Sequence, residues 1–150
     1  ATGGRLRGRI GIVPILRAGL GMVDPILNLI PNAEVWHLGL YRDEETAQPV
    51  KYYSNLPPDR PVDVALILDP MLATGGSAVS ALAELNDWGV KRTKVLSIIA
   101  SREGITEVGS QYPDAEVCVC AIDDDLNPQK FIVPGLGDAG DRIFNTLEQE

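Results

Sequence analysis

Five short apolar runs, each followed by residues with helical spacing or by a loop, constrain this chain more than any other feature. They span residues 10–16, 35–40, 62–68, 94–100 and 116–122. Runs of this length, rich in β-branched residues and flanked by turn formers, read as buried strands. Helices are predicted up to about residue 30, over 77–88 and 103–112, and over a short stretch at 141–148. Pro25 suits a first turn, Ser77 is expected to be an N-cap, and Gly89 is a natural stop. Strands that alternate with helices, and are apolar throughout, predict an α/β fold: a doubly wound, mostly parallel sheet with helices on both faces. Pro14 cannot donate to a ladder, so the first strand is expected to end near it or to lie at an edge.

Composition bounds the rest. With 150 residues, 45% of them hydrophobic, the chain can bury one proper core. Its apolar runs are too short to span a bilayer, and no basic start followed by an apolar stretch marks a secretory signal. The expectation is a cytoplasmic protein. The chain opens without Met and with Arg5, Arg7 and Arg9 alternating, so it is expected to begin mid-protein, with these arginines on the solvated side of a strand or turn. The net charge of −8 speaks against a nucleic-acid surface. An anionic ligand would have to be held locally, by a few arginines and backbone N–H groups. Cys118 and Cys120 would sit about 6.6 Å apart on one strand face, too far for an easy disulfide, and are expected to be small core residues in a reducing compartment. His37, the single histidine, is expected to pack or hydrogen-bond within a strand, which speaks against a His-based triad or metal centre.

In doubly wound sheets ligands sit beyond the carboxyl ends of the strands. The segments to read are therefore 17–21, 41–61, 69–77, 101–103 and 123–140. The strongest signal runs Ala65-Leu-Ile-Leu-Asp69-Pro-Met-Leu-Ala-Thr74-Gly75-Gly76-Ser77. A strand ends in an acid, crosses a short loop and enters a helix through Thr-Gly-Gly-Ser. The glycines let backbone N–H groups approach a ligand, and the helix start adds free donors and a positive dipole end. With the Thr74 and Ser77 hydroxyls this makes a socket for a phosphate monoester. Asp69, at its rim, can accept two hydrogen bonds from a ribose diol. The loop lacks the Gly-Lys-Ser/Thr ending of a P-loop and the Gly-x-Gly-x-x-Gly dinucleotide pattern. The plainer reading is a tight turn with a Ser cap. Residues 41–61 are polar and rich in Pro, long for a connector, and are expected to form a lid. Asp123-Asp-Asp125 is either a Mg²⁺ contact or a loop in which Asp123 bonds backbone N–H groups.

The segment from Asp69 to Ser77 resembles the phosphoribosyl-diphosphate (PRPP) loop of the type I phosphoribosyltransferases. Its Asp-Pro-Met-Leu-Ala form resembles that of the uracil phosphoribosyltransferases. Residues 13–21 (Val-Pro-Ile-Leu-Arg-Ala-Gly-Leu-Gly) are similar to that family's diphosphate loop, 40–46 to the start of its mobile loop, and 132–142 to its uracil-binding segment. The resemblance runs in order from Ile10 onward and implies one phosphoribosyltransferase domain over 1–150, lacking a further N-terminal segment. Lys130-Phe131 departs from the usual Gly-Tyr, and Phe131 lacks the hydroxyl.

The resemblance implies transfer of the phosphoribosyl group to uracil, giving UMP and diphosphate in pyrimidine salvage. It implies PRPP contacts from Arg17, Arg42, Asp69, Pro70, Met71, Leu72, Ala73, Thr74, Gly75, Gly76, Ser77 and Asp138. Arg17, Arg42, Asp69 and Asp138 would be catalytic, with Arg42 arriving as the lid, which carries Tyr52 and Tyr53, closes. Ile132, Gly137 and Ala139 would contact uracil, with Asp138 beside them. Mg²⁺ would bind mainly through the diphosphate, with its protein ligands unknown. A homodimer or higher homo-oligomer is expected, without nucleic-acid or membrane partners; activation by GTP is not readable from the residues. The alternatives are a catalytically silent domain of the same fold binding uracil or a nucleotide, for instance one fused to a uridine kinase, an RNA-binding regulator, and a transferase for another base.

Overall fold

The structure, a computed structural model, describes residues 7–42 and 49–146, apart from the side chains of 41, 42 and 49. Ten strands and four α-helices follow one another among the described residues: β1 (Ile10–Leu16), α1 (Val23–Leu29), β2 (Glu34–Val35), β3 (Leu38–Arg42), β4 (Pro49–Ser54), β5 (Val64–Leu68), β6 (Met71–Leu72), α2 (Gly76–Trp88), β7 (Arg92–Ser101), α3 (Arg102–Gln111), β8 (Glu116–Asp123), β9 (Asp125–Leu126), β10 (Ile132–Val133) and α4 (Ala139–Phe144). A 3-10 turn, Ala18–Met22, precedes α1.

The main sheet runs β4, β3, β1, β5, β7, with β2 also pairing β1, and with β6 and β8 pairing β7. All its pairs are parallel except β3–β4. The crossover from β1 leads to β2 and β3 on one side, and that from β5 leads to β7 on the other. The two central strands therefore form a switch point, where loops part at the carboxyl ends and leave a crevice.

Strand alternation decides the two cores. Val13, Ile15, Ala65, Ile67 and Val95 point to the face covered by α2 and α3, against Ala78, Ala81, Leu82, Leu85 and Val108. Ile12, Leu66 and Leu68 point the other way, onto Val23, Ile26 and Leu27 of α1. Trp36 and Trp88 meet edge to face at 6.1 Å, and the Trp88 indole donates to the Pro57 carbonyl. No described helix is long and apolar enough to cross a membrane.

Several expectations are corrected. Pro14 lies two residues before the end of β1, as one of its two readings expected, but the strand is central and Pro14 pairs with Leu68. The Ile12 carbonyl accepts from Trp36 N, so alternation turns Pro14 toward the same side, opposite the gap between β2 and β3, where no ladder donor is needed. His37 sits in that gap, and its N–H donates to Asn55 Oδ1 at 2.7 Å. The polar stretch after residue 40 is not a plain loop: β4 pairs antiparallel with β3, with a bulge at Gly39/Leu40. Tyr52 and Tyr53 lie on β4 beside Gly39, whose missing Cβ would come 2.6 Å from the Tyr52 ring.

Arg9 is only partly solvated. Its guanidinium forks onto the Glu34 carboxylate with two 2.7 Å bonds and also donates to the Arg60 and Pro61 carbonyls. This contact holds the Glu34 carboxyl below its ordinary range. Cys118 and Cys120 are free thiols on the exposed face of β8 rather than core residues.

Candidate active site

The crevice holds a cavity of about 330 Å³. Arg17, Asp69, Met71, Ala73, Ser77, Ile132, Gly137, Asp138 and Ala139 all line it, together with Leu40, Lys130 and Phe131. Three stretches far apart in sequence thus converge on one space.

The stretch after β5 is built for close approach. Asp69 sits just past the strand end and its Oδ1 accepts from Met71 N at 3.3 Å. Burial raises its carboxyl to about 6, against the opposing pull of that N–H. Pro70 and Leu72 are buried and do not line the cavity, and the Pro70 carbonyl accepts from Ile98 N and Ile99 N, tying the loop to β7. Gly75, at φ +85°, is the N-cap of α2, and no side chain caps the helix. Ser77 is the helix's second residue rather than its cap. A left-handed backbone admits glycine at little cost, and the first-turn N–H groups of a 13-residue helix keep no intrahelical partner. Those donors and the Ser77 hydroxyl give this end an anion socket.

Residues outside the expected set hold that loop from behind. Ser101, fully buried at the end of β7, caps α3: its Oγ accepts from Gly104 N at 2.9 Å and donates to the Ala73 carbonyl. A Cβ on Gly104 would lie 2.4 Å from Ala73 O, and one on Gly75 would lie 2.9 Å from Gly104 O. The available signal was a Ser that ends a strand and precedes Arg-Glu-Gly, a helix start placed beside the loop.

Beyond β1, Gly19 presses on the end of β5, and its missing Cβ would come 2.3 Å from Leu68 O. Arg17 reaches across to α4: NH2 donates to Asp141 Oδ1 at 2.7 Å and NH1 to Thr146 Oγ1 at 3.2 Å. The Asp141 carboxyl is lowered by the Thr146 hydroxyl first and by Arg17 second. Arg17 remains half exposed to the cavity. The Arg42 side chain lies outside the described residues.

The third stretch begins with the β9–β10 hairpin, in which Asn127 Oδ1 accepts from Phe131 N at 2.8 Å. Gly135 (φ +48°) and Gly137 (φ +76°) carry the chain on to α4. Only glycine fits at 135, where a Cβ would lie 2.1 Å from the Ile132 carbonyl. Asp138 is the N-cap of α4, its Oδ1 accepting from Asp141 N at 2.8 Å. The Arg142 guanidinium donates to the Leu136 carbonyl at 2.9 Å. Asp123 Oδ2 accepts from Gly135 N at 3.0 Å, and Asp124 pairs with Arg102 at 2.5 Å. Asp123 therefore bonds backbone, as one of its two readings expected. Among the described residues no group of three or more His, Cys, Asp or Glu could hold a metal.

A mostly parallel sheet, an acid just past a strand end leading to a glycine-opened helix, and a cavity at the switch point belong to the α/β fold that the type I phosphoribosyltransferases share. In line with this, the chain superposes on the orotate phosphoribosyltransferase of Aeropyrum pernix with a TM-score of 0.57 over 75% of this chain and 59% of that one; at 15% identity this shows the fold.

The family model for uracil phosphoribosyltransferase matches residues 1–146, and the chain belongs to that family. It is 60% identical over 144 residues to the uracil phosphoribosyltransferase of Roseiflexus sp. (strain RS-1), covering 96% of this chain and 69% of that one. A solved structure, the AQ2163 protein of Aquifex aeolicus, is 42% identical with a TM-score of 0.85, covering 90% of this chain and 64% of that one.

Proposed function

We propose that this chain transfers the phosphoribosyl group of PRPP to uracil in the cavity described, giving UMP and diphosphate. The observation that carries the reading is the convergence of Arg17, of Asp69, Met71, Ala73 and Ser77, and of Ile132, Gly137, Asp138 and Ala139 on one space, which Pro70, Leu72, Thr74, Gly75 and Gly76 do not line. The 5′-phosphate sits on the α2 N-terminus, with Thr74 and Ser77 adding hydroxyl donors. Asp69 accepts from the ribose hydroxyls. The diphosphate then points toward Arg17, whose planar fork suits phosphate oxygens.

The bond between ribose C1′ and the diphosphate oxygen breaks as uracil N1 bonds to C1′. The diphosphate leaves with the bond's electrons, and N1 gives up its proton to water or to the Asp138 carboxylate. Charge growing on the leaving group is what Arg17 stabilises, joined by Arg42 as the β3–β4 arm closes and excludes water. Asp69 and Asp138 are the carboxylates lining the cavity. One or two carboxylates plus substrate phosphates suit Mg²⁺, so these two would complete its shell. When bound there, the ion neutralises diphosphate charge.

Uracil offers acceptor, donor, acceptor along one edge. The backbone at Ile132, Gly137 and Ala139 can match that order without charged side chains. Cytosine would present a donor where uracil has O4, a mismatch of a kind that can discriminate by about 10⁴-fold. The reading carries with it a homo-oligomeric enzyme of the cytoplasm in which residues 1–150 act as one domain.

Diphosphate release measured with uracil and PRPP together, and with each alone, tests this. Release only with both supports transfer. Release from PRPP alone would make the site a hydrolase, and no release with both substrates would contradict the reading.

A further inference from the structure

The loops that would hold the two substrates are fastened to adjacent strands at the same rung. Ser101 ends β7 and Asp123 ends β8, and the two are register partners. Ser101 Oγ donates to the Ala73 carbonyl of the phosphate loop. Asp123 Oδ2 accepts from the Gly135 N–H of the base loop at 3.0 Å. One residue along, just past both strand ends, Arg102 at the start of α3 pairs with Asp124 at 2.5 Å. β7 and β8 are paired from Lys94 with Glu116 up to this rung, the last of the ladder, so the pairing beneath it holds its two members side by side.

We propose that Ser101 and Asp123 are a pair of positioning residues that set the spacing between the phosphoribosyl donor and the base. Neither lines the cavity, so neither touches substrate. Asp123 acts through the Gly135 N–H, and Ser101 through the Ala73 carbonyl while it also caps α3. On the Asp123 side, Gly135 packs its Cα over the Ile132 carbonyl and lies between Ile132 and Gly137, the positions assigned to uracil. Fixing Gly135 N–H from the sheet fixes where those backbone groups point. On the Ser101 side, the Ala73 carbonyl lies two residues before Gly75, which opens the phosphate socket. Transfer needs N1 of the base within near-attack distance of C1′, and a displacement of about 1 Å can cost about a hundredfold in rate. A rung that holds both loops provides that tolerance.

The inference rests on the proposed uracil and PRPP sites, and the test separates the two. Initial rates are measured with uracil and PRPP varied in turn, for wild type, Asp123→Ala, Asp123→Asn, Asp123→Glu and Ser101→Ala. Asp123→Ala should raise KM for uracil about tenfold or more while KM for PRPP stays within about twofold, the loss expected for one charge-assisted hydrogen bond. Asn keeps an acceptor at the same reach and should recover most of this. Glu keeps the charge but moves it by a methylene and should still raise KM for uracil alone, which serves if the Ala variant does not fold. Ser101→Ala should show the converse, with KM for PRPP raised more than KM for uracil. Equal changes in both KM values, no change in either, or no recovery by Asn would overturn the positioning role while wild-type turnover stands. A wild-type chain that makes no UMP would overturn the proposed function itself, and this inference with it.

Discussion

Asp69→Asn should make the protein more stable and less able to bind PRPP. The Asp69 carboxyl is raised from 3.8 to about 6 because burial disfavours its charged form. A carboxyl whose folded value exceeds its unfolded value stabilises the fold fully below the unfolded value. That contribution is lost as pH rises through the folded value. At neutral pH the ionised Asp69 therefore weighs against folding. The difference is about two pH units at 1.36 kcal/mol each, a ceiling of about 3 kcal/mol. Asparagine fits the same space, keeps an acceptor for Met71 N–H and carries no charge.

Urea unfolding at pH 7.5 should show Asp69→Asn as the more stable protein by up to about 3 kcal/mol. For a chain of this size that corresponds to a Tm increase of about 6–12 °C. The gap should close as pH falls from 6 toward 4, where the wild-type carboxyl takes up its proton. In the same preparations PRPP affinity should fall sharply in the variant, and in the wild type it should weaken as pH drops through about 6. A variant that is less stable at pH 7.5, or a stability difference that ignores pH, would refute the burial argument. Unchanged PRPP binding would refute the placement of the site.

Gly75→Val forces a β-branched residue to φ +85° and drives its Cβ to 2.9 Å from Gly104 O, so calorimetric PRPP binding should be lost while far-ultraviolet circular dichroism stays close to wild type. Gly19→Ala puts a methyl group 2.3 Å from Leu68 O; it should cost about 1–3 kcal/mol in chemical unfolding and raise KM for PRPP, because the turn bearing Arg17 must shift. Leu82→Ala, at a core position 1% exposed, should cost about 3 kcal/mol in the same assay with both KM values unchanged.

Much of the architecture is legible in the order of residues because buried parallel strands are apolar throughout. The runs at 10–16 and 64–68 are examples. The phosphate loop is legible for a related reason: an acid, two glycines and hydroxyls in fixed order serve few purposes other than admitting an anion. Strand β4 is not legible. It is an edge strand carrying Pro49, Lys51 and two tyrosines, whose one-sided pairing leaves no apolar run to see. The cap of α2 is misread for a conformational reason: Ser77 has the chemistry of a cap, but left-handed Gly75 already turns the chain. Cys118 and Cys120 are misread because strand residues of small apolar type look alike on covered and uncovered faces. Ser101 and Asp123 act across strand pairing, through backbone groups 28 and 12 residues away in sequence, and spacing along the chain carries no record of such contacts.

The most direct measurement is a chromatographic assay for nucleotide products with PRPP, Mg²⁺ and an equimolar mixture of uracil, cytosine and hypoxanthine. The account predicts UMP alone, with diphosphate released in equal amount. Nucleotide formed from cytosine or hypoxanthine at a comparable rate would contradict the backbone reading of the base, and no nucleotide from any of the three would contradict the assignment of the cavity.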